Sequence, residues 1–183
     1  MSLNQWYDKG LKPEEYMARL DKHKEGFHHI FNNFNLPADD DFFTSVKEKN
    51  LRVVALAEAW CGHCMLDIPI LLRIAEKTNM SVRFLPRDDN LELMDQYLTN
   101  GNRTIPIFIF IDEHGNEVAK WGPIADRVKA FVSQYRGKLP PKDADDYEEK
   151  FKEMIKITGK AFKEDESIWN DVYEDIKETL SHI

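Results

Sequence analysis

The chain holds two thiols, and both fall in one short run, Trp60-Cys61-Gly62-His63-Cys64. A disulfide framework needs more cysteines spread along the chain, so this pair reads as chemistry. The preceding Arg52-Val53-Val54-Ala55-Leu56-Ala57 is short and apolar on both faces, as in a buried strand. Met65 to Lys77 then places Leu66, Ile70, Leu71 and Ile74 on one side of a helix, with Pro69 as an expected kink. The pair therefore stands where a strand ends and a helix begins. Unpaired N–H groups and the positive end of the helix dipole favour negative charge there, and a thiolate is the nucleophilic form of cysteine. Cys61 is thus the expected acidic nucleophile. Cys64, one helical turn on, is placed to attack the mixed disulfide and resolve it. Gly62 leaves room for a substrate chain, and His63, when protonated, would stabilise the Cys61 thiolate. Trp60 forms an apolar rim beside the sulfur.

Two other uses of such a pair, structural zinc and haem attachment, fit less well. Structural zinc usually takes four ligands from paired motifs, and no second cysteine pair exists; His28, His29 or His114 would have to complete a site. Haem attachment needs His directly after the second cysteine, where Met65 stands. Neither a metal nor a bound cofactor is expected.

Around the motif the elements alternate. Pro13 to Phe34 reads as an amphipathic helix slackened at Gly26, and Asp40 to Lys49 as a second. Val82 to Leu85 is the next strand, which makes a βαβ unit with parallel strands. A helix over Leu91 to Leu98 follows. Ile107 to Ile111 and Glu117 to Trp121 flank the turn cluster Glu113-His114-Gly115-Asn116 and predict an antiparallel hairpin, and Ile124 to Tyr135 predicts a closing helix. Beyond Pro140-Pro141 two amphipathic helices are expected, from Tyr147 to Phe162 and from Ile168 to Leu180. Their apolar stripes are expected to pack on the rest of the chain, with a partner surface as the alternative.

Composition sets the bounds. The 183 residues, 42% hydrophobic and 32% charged, suit a single globular domain. A net charge of -8 argues against nucleic acid or an anionic membrane as partner. The longest apolar run, Ile105 to Ile111, is far short of the roughly 20 residues that span a bilayer. The first residues lack the charged and apolar regions of a secretory signal, so a cytoplasmic location is expected.

Ala59-Trp60-Cys61-Gly62-His63-Cys64 followed by Pro69-Ile70-Leu71 resembles the active-site helix of the thioredoxin superfamily, with the dipeptide of protein disulfide isomerase between the cysteines. Thr104-Ile105-Pro106 before an apolar strand is similar to the family's cis-proline segment, and Gly122 to its substrate-groove glycine. The run from Arg87-Asp88-Asp89-Asn90 through Arg103-Thr104-Ile105-Pro106 to Trp121-Gly122-Pro123 resembles a bacterial branch with added terminal helices. The resemblance implies an α/β thioredoxin-like fold, a mixed sheet flanked by helices, with a core at about 50–136, N-terminal helices at about 13–49 and a C-terminal helical extension at about 142–182. It implies a thiol-disulfide oxidoreductase acting on protein or low-molecular-weight disulfides, with Ile105 and Pro106 shaping the groove. The substrate, electron donor, reduction potential and oligomeric state stay open. A non-catalytic binding module or slow redox sensor on the same scaffold is the rival reading. One departure stands out. The family's buried carboxylate, six residues before the first cysteine, is replaced by Ala55, and Glu58 should point away, so Cys64 is expected to lack a base and to resolve slowly.

Overall fold

The computed structural model describes residues 1–183. Four strands, β1 (Arg52–Ala57), β2 (Ser81–Pro86), β3 (Ile107–Ile111) and β4 (Glu117–Trp121), form one sheet in the order β2-β1-β3-β4. β1 runs parallel to β2 and antiparallel to β3, and β3 pairs antiparallel with β4. The mixed sheet flanked by helices is as expected. All five residues of β3, and every residue of β1 after Arg52, are buried, because helices cover the central strands on both faces. The hairpin turn is held by Asp112, whose carboxylate accepts from the backbone N–H groups of His114 and Asn116 at 2.9 and 2.8 Å.

The N-terminal region departs from the sequence reading. A helix α1 (Leu3–Lys9) precedes the expected ones, opened by a capping box between Ser2 and Gln5. Pro13 to Phe34 is not one helix but two, α2 (Pro13–Met17) and α3 (Lys24–Asn33). The break falls before His23 rather than at Gly26. Gly26 lies inside α3, where a Cβ would meet the Met65 Sδ and the Lys163 stem, so those two side chains come close to the α3 backbone there. α4 (Asp40–Glu48) follows, and α5 (Gly62–Thr78) joins β1 to β2 as the crossover helix. α3 and α4 pack on α5, while α1 and α2 pack on β2.

The short α6 (Leu91–Met94) ends four residues earlier than predicted, and Leu98 is exposed. α7 (Asp126–Arg136) closes the hairpin. The C-terminal α8 (Tyr147–Glu164) and α9 (Glu166–Ser181) then return to the core. α9 buries Ile168, Trp169, Val172, Tyr173, Ile176 and Leu180 against α5, α7 and β4, so its stripe packs inward as expected. Its Asp175 accepts from Trp121 Nε1 at 2.6 Å and from the Asp126 backbone N–H at 3.0 Å, fixing the end of β4 and the start of α7 together. α8 buries Met154, Thr158 and Phe162 but leaves Ile155 and Ile157 exposed. No helix is long and apolar enough to cross a membrane.

Candidate redox site

Cys61 is the residue that caps α5. Its backbone is extended, and its sulfur accepts the backbone N–H of Cys64 at 3.4 Å, the place a serine or aspartate oxygen takes at other helix starts. The thiol is drawn down to about 7, first by the hydrogen bond from the Cys64 thiol, then by the backbone N–H groups of Cys64 and His63 and the charge of Arg87, against the opposing effect of burial. Cys64 is fully enclosed, and burial pushes its thiol well above the ordinary value, with the bond to Cys61 acting in the same direction. Both cysteines are in the dithiol form. The two sulfurs are therefore unlike.

Opposite them, the Ile105–Pro106 peptide is cis, and the Ile105 carbonyl accepts from the Cys61 thiol at 3.8 Å. Gly122–Pro123 is a second cis peptide, which the sequence reading did not foresee. Gly122 has φ +114, and a Cβ on it would strike the Pro106 carbonyl, so glycine is what lets the end of β4 close on this segment. Trp60 is 49% exposed beside the cysteines, with the Arg87 guanidinium 5.0 Å from its ring centroid. His23 Nε2 hydrogen-bonds the Trp60 carbonyl at 3.1 Å, tying the turn before α3 to the motif. Gly62 stands open, with nothing within 4 Å of where a Cβ would be. Two cavities flank the pair. One of about 550 Å³ includes Thr104, Ile105 and Gly122; the other, of about 610 Å³, includes Trp60, Gly62 and α8, and the two share His63, Val132 and Arg136.

His63 requires a correction. It was expected to act as a cation, yet its ring lies 5.1 Å from that of Phe162 on α8, and its Nδ1 is buried without a partner. Burial, with Arg136 nearby, brings its pKa down to about 4, so the imidazole is neutral at pH 7. What His63 gives Cys61 is its backbone N–H, and the cation acting on Cys61 is Arg87.

The expected lack of a base at Cys64 rests on the strand position of Ala55, and the structure adds a buried acid on α5. Ala55 is buried on β1, and Glu58 accepts the Asp88 backbone N–H at 2.9 Å. Asp67, however, is fully buried on α5 with both carboxyl oxygens unpartnered. Three residues after Cys64, it lies on the same side of the helix. Burial holds its carboxyl well above the usual carboxylate range, and the Cys61 charge and Asp175 push the same way. The signal was present in the sequence as the single acid within Met65 to Leu71. Tyr16 was missed as well: buried on α2 and stacked on Phe84 at 4.5 Å, it donates its hydroxyl to the Glu58 carbonyl at 3.3 Å, and burial and then the two cysteines push its phenol up. No group of three or more His, Cys, Asp or Glu side chains is placed to hold a metal ion, so His28, His29 and His114 do not complete such a site with the cysteines.

A four-stranded mixed sheet, a cysteine pair at the start of its crossover helix and a cis-proline facing it define a thioredoxin-type protein. A family model described as thioredoxin matches residues 10–136, and the chain belongs to that family. The match begins well before the expected core and includes α2 and α3. Among curated protein sequences nothing matches significantly. Among solved structures, the chain is similar to a protein of unknown function from Pseudomonas aeruginosa, at 16% identity and a TM-score of 0.66, with 97% of this chain and 98% of that one covered. It is also similar to an HIV epitope scaffold, at 14% identity and a TM-score of 0.63, with 98% and 99% covered. At such identities the likeness concerns the fold alone.

Proposed function

We propose that the protein is a thiol-disulfide oxidoreductase. The observation that carries this reading is the asymmetry of the pair: a helix-capping Cys61 with its thiol near neutrality, and an enclosed Cys64 one turn on with a raised one. The Cys61 thiolate attacks one sulfur of a disulfide; the Cys61–S bond forms, the substrate S–S bond breaks, and the other half leaves as a thiolate. Cys64 then attacks Cys61, releasing the bound half and leaving a Cys61–Cys64 disulfide, so two electrons pass to the substrate. Asp67 is assigned as the group that takes the Cys64 proton when it is ionised, since the burial that favours its protonated form also makes its carboxylate a strong base. The Gly62-His63 dipeptide is that of protein disulfide isomerase, but here the histidine acts through its backbone. Protein and small disulfides are both substrates in this reading, and a dithiol donor re-reduces the pair.

The slower reading, a redox sensor, is favoured by one observation: Cys61 exposes only 8% of its surface. Rate separates the two. Insulin reduction driven by dithiothreitol should be accelerated by the parent protein and lost in Cys61→Ser. Cys64→Ser should lose turnover yet retain a mixed disulfide on Cys61. A parent protein that leaves the insulin rate unchanged contradicts the enzyme reading.

A further inference from the structure

The C-terminal extension sorts its charges. Residues 142–183 hold thirteen acids and seven lysines, yet Lys156, Lys160 and Lys163 follow one another at steps of four and three along one side of α8. All three line the cavity of about 610 Å³ whose opposite wall is the cysteine motif, through Trp60, Gly62 and His63. Lys22, before α3, and Arg136, at the end of α7, bring the Lys and Arg side chains lining this cavity to five. Two carboxylates, Glu25 and Glu164, also face it, and Glu164 pairs with Lys160 at 3.9 Å. Lys22, Arg136, Lys156 and Lys163 take part in no ion pair. Lys163 is anchored: a Cβ on Gly26 would lie 3.2 Å from its Cδ, so the lysine stem packs over α3 in the space that glycine leaves. The interior is open, since a Cβ on Gly62 or Gly159 would meet nothing within 4 Å.

On a chain of net charge -8, five cations around a cavity that touches Trp60, Gly62 and His63, the residues flanking Cys61, offer an anion a local site of opposite charge. The volume lies in the range of small-molecule sites, roughly 300–1,000 Å³. We infer that this cleft binds the carboxylate-bearing half of a low-molecular-weight thiol or disulfide of about tripeptide size and presents its sulfur to Cys61. The sulfur step rests on the redox reading, whereas the carboxylate site does not. In that step the bound half becomes joined to Cys61, the distal half leaves as a thiolate, and Cys64 displaces the bound half as a second thiolate.

The test uses S-methylglutathione, which carries two carboxylates and a blocked sulfur, titrated into the full-length dithiol protein while amide resonances are followed. Saturable shifts are expected at Gly62, Gly159 and Phe162. Binding should weaken at least tenfold for the diethyl ester and for the double variant Lys156→Glu with Lys160→Glu. Gly159→Leu, which fills the cleft without a charge change at a site where leucine favours helix over glycine, should weaken it similarly. An absence of saturable shifts at these residues, or equal binding of the ester, overturns the proposal. Tighter binding of a cysteine-free acidic decapeptide at the same residues overturns the small-ligand assignment. Because no sulfur exchanges, binding without insulin turnover removes the redox reading alone, and turnover without binding removes the cleft alone.

Discussion

Cys61 owes its reactivity to a local arrangement, a sulfur serving as helix cap, so its titration should be directly visible. The rate of iodoacetamide labelling at Cys61 should rise with pH around a midpoint near 7 and fall about tenfold per unit below it, while Cys64 stays unlabelled over the same range. Peptide mass spectrometry checks this, and equal labelling of the two contradicts it. Arg87→Ala should move the midpoint upward, because it removes the cation that acts on Cys61. The cysteines, Trp60 and Gly62 could be singled out by type and spacing at the end of an apolar strand, whereas Ile105, Pro106 and Gly122 were marked only by the resemblance to the thioredoxin family. Asp67 was marked by neither, because the family pattern places the carboxylate at the strand position that Ala55 holds. A helix offers a second route to the space near Cys64, and sequence order does not say which route is used. Asp67→Asn should slow the second step of exchange by about 10²-fold at pH 7 and leave the first unchanged, measured by rapid quench.

At the scale of elements, the state of His63 is decided by α8. Phe162 covers the ring, and a contact between the cysteine motif and a helix of the C-terminal extension cannot be read from the periodicity of either. Phe162→Ala should therefore raise the His63 pKa from about 4 toward 6.5, followed through its imidazole NMR signals. An unchanged low value would place the cause elsewhere. The strands and the longer helices were legible because each shows its own period over several residues. α1 was overlooked because it is only seven residues long, although Leu3, Trp6 and Tyr7 stand at i, i+3 and i+4. The break between α2 and α3 was hidden because Leu20 lies in the chain between the helices yet is buried as if on one.

For the whole molecule, two unpaired buried groups set opposite limits of pH. His63 has a folded pKa below its unfolded value, so stability is lost as pH falls from about 6.5 through about 4. Asp67 has one above it, so its share is fully present below about 3.9 and is lost as pH rises toward the folded value. Asp67→Asn should stabilise the reduced protein by about 1–3 kcal/mol near pH 8 and by less at pH 4, in denaturant titrations at both values. The C-terminal helices are part of the same core: Trp169 is buried and donates its indole N–H to the Phe162 carbonyl at 2.8 Å. Trp169→Ala should cost about 3–5 kcal/mol. If it costs less than 1, α9 is an appendage and the account of the extension is wrong.

The measurement that bears most directly on the redox assignment is acid-quenched exchange between the dithiol protein and a mass-labelled small disulfide, sampled from milliseconds to seconds and read by peptide mapping. The account predicts that label joins Cys61 first, then disappears as the Cys61–Cys64 disulfide forms and two labelled thiols are released. Label arriving on Cys64, or a protein that remains unlabelled and reduced in excess disulfide, would contradict it.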